Sequence, residues 1–248
     1  MSIHEAALEG FGRGASAYER GRPSYPQPAV DWMLERLSIG PGRVVADLGA
    51  GTGKFTRLLL ASGARVLAVE PVAGMRAELR RAVPAAEVVD ATAQAIPVQD
   101  AELDAVTAAQ AFHWFASERV LVEIHRALRP DGGLGVIFNR RDLADPVQAG
   151  LDRIIAHHRG AVPTHENDRW MDAMDQTILF TPIGTRQFTY EQALDRAGLV
   201  DRVLSISFMA TLDGSQRQAV AAEVEVVAGA EAHFRLRYRT EVYLFRRA

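Results

Sequence analysis

Gly49, Gly51 and Gly53 stand at alternate positions, after the apolar run 43–48 and before residues 55–62, which have helical spacing. Glycines placed this way let the backbone turn sharply and let a ligand approach the main chain. Ala50 and Thr52, between them, present the same backbone. The helix that follows offers unpaired N–H groups and the positive end of its dipole. A dinucleotide loop of the form G-x-G-x-x-G needs a glycine where this chain has Lys54. Asp47, just before the loop, would repel a pyrophosphate and suits a ligand carrying positive charge. The alternative is a tight turn with no ligand.

More chemistry-bearing residues follow other apolar runs. Glu70, with Pro71 behind it, ends the run 64–70, where a carboxylate can accept both hydroxyls of a ribose. Asp90, followed by Ala91 and Thr92, ends the run 87–90 and otherwise reads as the cap of a turn. Met75 suits either a ligand ring or the core. Gln110 opens the string Gln-Ala-Phe-His-Trp-Phe after the run 103–109 and is placed to meet a ligand. His113 titrates near neutrality and can orient a substrate or take its proton; otherwise His113 and Trp114 buttress the loop. Asn139 and Trp170 complete the candidate substrate set.

Tyr18, Arg22 and Tyr25 read as a lid, the tyrosines as amphipathic contact surface and the arginine as a grip for a carboxylate. A frayed terminus is the alternative. His157, His158 and His165 are not expected to hold a metal, because adjacent histidines on a helix point to different faces. Arg235, Arg237 and Arg239 share one face of a strand, a solvated face by the usual reading.

These residues need a scaffold that brings the ends of several strands together. Strands are expected at 43–48, 64–70, 87–90, 103–109 and 134–139, the last preceded by a turn at 130–133. Helices are expected at 29–37, 55–62 and 72–82, and from Ser117, as cap, to Leu128. Strand–helix alternation from 30 to 140 is the pattern of an α/β, doubly wound, mostly parallel sheet with helices on both faces. Ligands of such sheets bind beyond the carboxyl ends of the strands. After Asn139 the alternation breaks, and helical fragments at 141–185 read as a small helical cap. A helix at 189–197 closed by Gly198, a strand at 203–209, a helix at 214–229 and a strand at 234–245 complete seven strands. The expected organisation is an arm at 1–25, a Rossmann-like core at 26–140, a cap at 141–186 and a completion of the sheet at 187–248.

Composition narrows the classes. The 248 residues are 48% hydrophobic and 24% charged, enough for one α/β domain with a modest insertion. A formal charge of −3 gives no global field for nucleic acid or anionic lipid. Cysteine is absent, which excludes disulfides, thiolate catalysis and cysteine-ligated zinc. No signal peptide and no stretch long enough to span a bilayer is read, so a cytoplasmic monomer or homodimer is expected.

The string Asp47-Leu-Gly-Ala-Gly-Thr-Gly53 resembles the first motif of class I methyltransferases that use S-adenosylmethionine (SAM), a ligand with a sulfonium and an amino group. Ile96-Pro97, Leu103-Asp-Ala-Val106 and Leu128-Arg-Pro-Asp-Gly-Gly133 are similar to later stretches of that family, so the resemblance covers most of the chain. Residues 18–26, 109–115 and 237–243 resemble a bacterial small-molecule subgroup related to trans-aconitate methyltransferases. The resemblance implies a Rossmann-like fold and methyl transfer to O, N or C of a small molecule, with S-adenosylhomocysteine (SAH) as product. It also implies that Asp90 holds the adenine amino group, that the backbone after it meets the ring, and that Trp114 and Phe115 wall the methionine arm and substrate. The competing readings are a SAM-binding module without transfer and an NAD-dependent oxidoreductase, the latter opposed by Lys54 and Asp47.

Overall fold

A computed structural model describes residues 21–159 and 170–248. The helices are α1 (Gln27–Arg36), α2 (Lys54–Ala61), α3 (Ala73–Ala82), α4 (Glu118–Ala127), α5 (Pro146–Arg159), α6 (Met171–Asp175), α7 (Arg196–Leu204), α8 (Ser207–Ala210) and α9 (Gly214–Ala228). The strands are β1 (Val44–Leu48), β2 (Arg65–Val69), β3 (Glu87–Val89), β4 (Leu103–Ala109), β5 (Leu128–Arg141), β6 (Phe180–Asp195) and β7 (His233–Arg247). They form one seven-stranded sheet in the order β3-β2-β1-β4-β5-β7-β6. The ladders β3–β2, β2–β1, β1–β4 and β4–β5 are parallel.

β1, β2 and β4 are almost wholly buried, as expected of parallel strands with both faces covered, and this explains their unbroken apolar runs. Alternation then sorts their side chains to two faces. Ala46, Leu48, Leu67, Val69, Val106 and Phe138 pack with Leu121 and Ile124 of α4. Val45, Val66, Ala105 and Ile137 pack with Val30 and Met33 of α1 and Phe55 and Leu59 of α2. Ser117 caps α4, its side chain accepting from the Val120 N–H as its sequence position suggested.

The chain divides into two compact units. Among the described residues one comprises 25–139, 170–188 and 240–248, and carries the parallel ladders. The other comprises 21–24, 140–159 and 189–239. Its core joins Leu151 and Ile155 of α5, Leu199 and Val203 of α7, Val220 and Val224 of α9, and Phe234, Leu236 and Tyr238 of β7.

Three expectations are corrected. Residues 189–195 are strand, not helix: β6 places Tyr190, Gln192 and Leu194 inward and their neighbours outward. The helix starts later, where Asp195 accepts from the Gly198 N–H; Gly198 lies in its first turn and does not end it. Residues 203–209 are not a strand but the end of one helix at Leu204, a turn at 205–206 and the start of a second at Ser207, with Leu199 and Val203 facing one core at helical spacing. β5 begins at Leu128 and runs through the expected turn at 130–133, which survives as a register shift with Asp131 at φ 65°.

Candidate functional site

In the parallel register Leu48 pairs with Val69 and Val69 with Val89, so β1, β2 and β3 end together. Gly49, Glu70 and Asp90 are the residues that follow, and Gln110 follows β4 in the same way. Four chemistry-bearing positions thus lie along one edge, each one residue beyond its strand.

The glycine loop is fastened to that edge. Gly49 and Ala50 donate to the Val69 carbonyl at 2.9 and 3.2 Å. Two of its glycines are forced. Gly49 has φ 68°, and a Cβ there would lie 2.7 Å from the Ala111 Cβ. Gly53 has φ 87°, and a Cβ there would lie 2.7 Å from Val83 Cγ2. A side chain at either position meets both an unfavourable backbone and a packed neighbour.

Glu70 is 5% exposed and braces the loop, its Oε2 accepting from the Gly51 N–H at 2.9 Å and its Oε1 from the Val72 N–H at 2.8 Å. Burial pushes its carboxyl up, against the two N–H groups and the nearby Arg76 charge. Arg76 donates from Nη1 to the Glu70 carbonyl at 2.9 Å and from Nη2 to Asp90 Oδ2 at 2.6 Å. The Asp90 side chain is 67% exposed and that of Arg76 11%.

Asp47 lies beneath the loop at 1% exposure. Its Oδ2 accepts from Thr56 Oγ1 at 2.7 Å and its Oδ1 from Thr107 Oγ1 at 3.1 Å. Burial raises its pKa to about 6, opposed by the two threonine hydroxyls. Asp47, expected to suit a cationic ligand, is thus held through both oxygens by buried threonines. Beyond β4, a short 3₁₀ turn (Phe112–Trp114) carries His113 and Trp114. The two rings lie 5.0 Å apart, and the His113 ring is 5.8 Å from Phe138.

A family model described as a methyltransferase domain matches residues 46–136. An uncharacterized methyltransferase of Mycobacterium tuberculosis is 39% identical over 201 residues, covering 81% of this chain and 78% of that protein. The chain belongs to the class I SAM-dependent methyltransferases. A solved protein of Anaeromyxobacter dehalogenans described as a type II methyltransferase shares the fold, with a TM-score of 0.66, 22% identity, and 91% and 97% of the two chains covered. So does geranyl diphosphate C-methyltransferase of Streptomyces coelicolor A3(2), solved with Mg2+, geranyl diphosphate and SAH, at a TM-score of 0.56 and 12% identity, with 100% and 99% covered.

In the methyltransferase several expected ligand residues have side chains that are buried or bonded to neighbours. Met75 (2% exposed) and Thr52 (1%) point into the protein. The Gln110 amide is spent on a neighbour: its Oε1 accepts from the Asn139 N–H at 2.6 Å and its Nε2 donates to the Asn139 carbonyl at 3.4 Å. Asn139 is itself buried, its Oδ1 accepting from Thr240 Oγ1 at 2.6 Å. Trp170 is core, with ring centroids 5.7 Å from Phe112, 5.3 Å from Phe138 and 5.0 Å from Tyr243. Tyr25 packs edge-on to Phe55 at 5.1 Å inside the apolar cluster of α1 and α2. Met75, for which the core was one of two readings, is buried, and Trp170 and Tyr25, expected toward substrate, are packed among apolar neighbours.

Pro71, Ala91 and Thr92 remain partly buried at the edge, and the Thr92 carbonyl accepts from the Ala95 N–H. Arg22 belongs to the other unit and donates to the Ser205 carbonyl at 3.4 Å. Tyr18 and His165 lie outside the described residues. Arg235, Arg237 and Arg239 occupy the exposed face of β7, alternating with buried Phe234, Leu236 and Tyr238. Among the described residues no group of three metal-ligand side chains gathers, and no helix is long and apolar enough to cross a membrane.

The residue that sequence reasoning missed is Arg76. An arginine on a surface helix reads as solvated; the signal was its place, one turn into the helix that follows an acid-tipped strand. Thr56 and Thr107 were missed too, since only the fold brings them to Asp47.

Proposed function

We propose that this enzyme moves a methyl group from SAM to O, N or C of a small-molecule acceptor, a carboxylic acid or a natural product, at the carboxyl edge of the parallel sheet. The observation that carries the reading is the row Gly49, Glu70 and Asp90, each one residue beyond a neighbouring parallel strand. The donor set fits the cofactor. Backbone of the glycine loop and the Glu70 and Asp90 carboxylates match a ligand with a ribose, an adenine amino group and a positively charged arm.

In this reading the Glu70 oxygens, each with one backbone N–H, keep lone pairs for the ribose hydroxyls. Asp90 accepts from the adenine amino group. The backbone of Ala50, Thr52, Pro71, Ala91 and Thr92 lines the nucleoside. Asp47 acts indirectly, tying the end of β1 to α2 and β4 through Thr56 and Thr107. His113 and Trp114 face the acceptor, with His113 orienting it or taking its proton.

SAM supplies an electrophilic methyl group on a sulfonium, so the protein contributes chiefly alignment and exclusion of water. A base is required only where the acceptor must lose a proton. His113→Gln should therefore lower kcat by about 100-fold or more with such an acceptor, the usual size of a lost general base.

The test is a screen of carboxylic acids and natural products with methyl-labelled SAM, reading label transfer and SAH formation together. Acceptor-dependent, stoichiometric SAH is expected. Tight retention of SAM with no transfer to any acceptor would instead support a binding module without catalysis.

A further inference from the structure

Arg76 links the two carboxylate-bearing strand ends of the edge. Its Nη1 is fixed by a backbone carbonyl, that of Glu70, and its Nη2 by a side chain, Asp90 Oδ2. Glu70 in turn reaches the Gly51 N–H, so one chain of hydrogen bonds runs from Asp90 through Arg76 and Glu70 to the glycine loop.

The geometry differs at the two ends. Glu70 is buried and already held through both oxygens by backbone N–H groups. Asp90 follows a three-residue strand at the margin of the sheet, with its side chain two-thirds exposed. An exposed carboxylate explores several rotamers and loses that freedom on binding a ligand. A buried guanidinium anchored to the backbone removes the freedom beforehand, because its planar fork fixes where the accepting oxygen lies.

We propose that Arg76 is a positioning residue for base recognition: it holds Asp90 by Oδ2 so that Oδ1 meets the adenine amino group of the donor. This role rests on the cofactor placement proposed above. Its consequence is selectivity. A carboxylate oxygen accepts from the amino group of adenine and is repelled by the keto oxygen of hypoxanthine. Fixing the oxygen strengthens that discrimination, whereas a clamp that merely holds two strands together would not change it.

The experiment is calorimetric titration of wild type, Arg76→Gln and Arg76→Lys with SAH and with its hypoxanthine counterpart, S-inosylhomocysteine. The wild type should prefer SAH by about tenfold or more, the range of one well-placed hydrogen bond. Arg76→Gln should weaken SAH about 10- to 100-fold and shrink the preference to within about threefold. Asp90→Asn should shrink it similarly, and the double variant should lose little more, since the two residues act as one unit. Equal weakening of both ligands by Arg76→Gln, with the preference intact, would overturn the role.

Should Arg76→Gln fail to fold, Arg76→Lys decides. A reduced preference supports positioning by the fork, and an unchanged one overturns it. Failure of the wild type to bind SAH would overturn the cofactor placement itself and this role with it. That outcome is visible before any substitution is made.

Discussion

The carboxyl edge of the parallel sheet and the helical unit built on α5, α7 and α9 are organised by different means. At the edge, backbone groups do most of the holding: Gly49, Ala50, Gly51 and Val72 donate main-chain N–H groups, and Val69 and Glu70 accept them. In the helical unit, buried side chains do it. Arg202, 4% exposed, donates from Nε to the Tyr238 hydroxyl at 2.9 Å; that hydroxyl donates to Gln192 Oε1 at 3.1 Å, and Gln192 Nε2 donates to the Gly21 carbonyl at 3.0 Å. This relay joins α7, β7, β6 and the segment before α1. A backbone-built site needs particular residues at fixed spacing, which leaves a motif. A side-chain relay draws its members from positions 21, 192, 202 and 238, and leaves none.

The largest effect should follow from adding a side chain to the loop. Gly53→Val combines a left-handed backbone with a Cβ 2.7 Å from Val83 Cγ2. Its cost should be about 3 kcal/mol or more, read by urea denaturation, together with loss of measurable SAH binding. Unchanged stability would mean that the loop is not held by backbone conformation.

Tyr238→Phe strikes the other region. It leaves Arg202 Nε and Gln192 Oε1 buried without that partner. The expected cost is about 2 kcal/mol, with SAH affinity within about twofold of wild type. An equal loss of affinity would erase the contrast between the regions.

Asp47 offers a pH test of its burial. Its folded pKa is raised to about 6, above the unfolded value of about 4. The folded state therefore holds the extra proton between these values, and Asp47 favours folding most below pH 4, losing that contribution as pH rises through 6. Asp47→Asn removes the titration. Relative to this variant, wild type should lose about 2 kcal/mol between pH 4.5 and 7, read as the difference between paired urea melts. A difference independent of pH would place Asp47 in a solvated setting. The smallest effect is expected at Arg235, whose 80% exposed side chain pairs with Glu191 at 3.6 Å. Arg235→Gln should change stability by less than about 0.5 kcal/mol.

The same contrast explains what the sequence disclosed. β1, β2 and β4 are legible because strands buried on both faces are continuous apolar runs. The glycine loop is legible because Gly49 and Gly53 occupy conformations that other residues avoid. β6 was hidden by Glu191-Gln192-Ala193-Leu194, good helix formers whose preference pairing in the sheet overrides. Met75, Trp170 and Tyr25 carry surfaces that serve a ligand or a core equally, and only packing decides between them. Asp47 was legible as important but not as buried, since its partners Thr56 and Thr107 lie on α2 and β4.

The central claim is that the edge formed by Gly49, Glu70 and Asp90 binds the methyl donor. Calorimetric titration with SAH of ligand-free wild type and Glu70→Gln tests it most directly. Micromolar binding at one site per chain is expected, weakened about tenfold or more in the variant by loss of a charged acceptor. No binding by the folded wild type, or equal binding by the variant, would contradict the account.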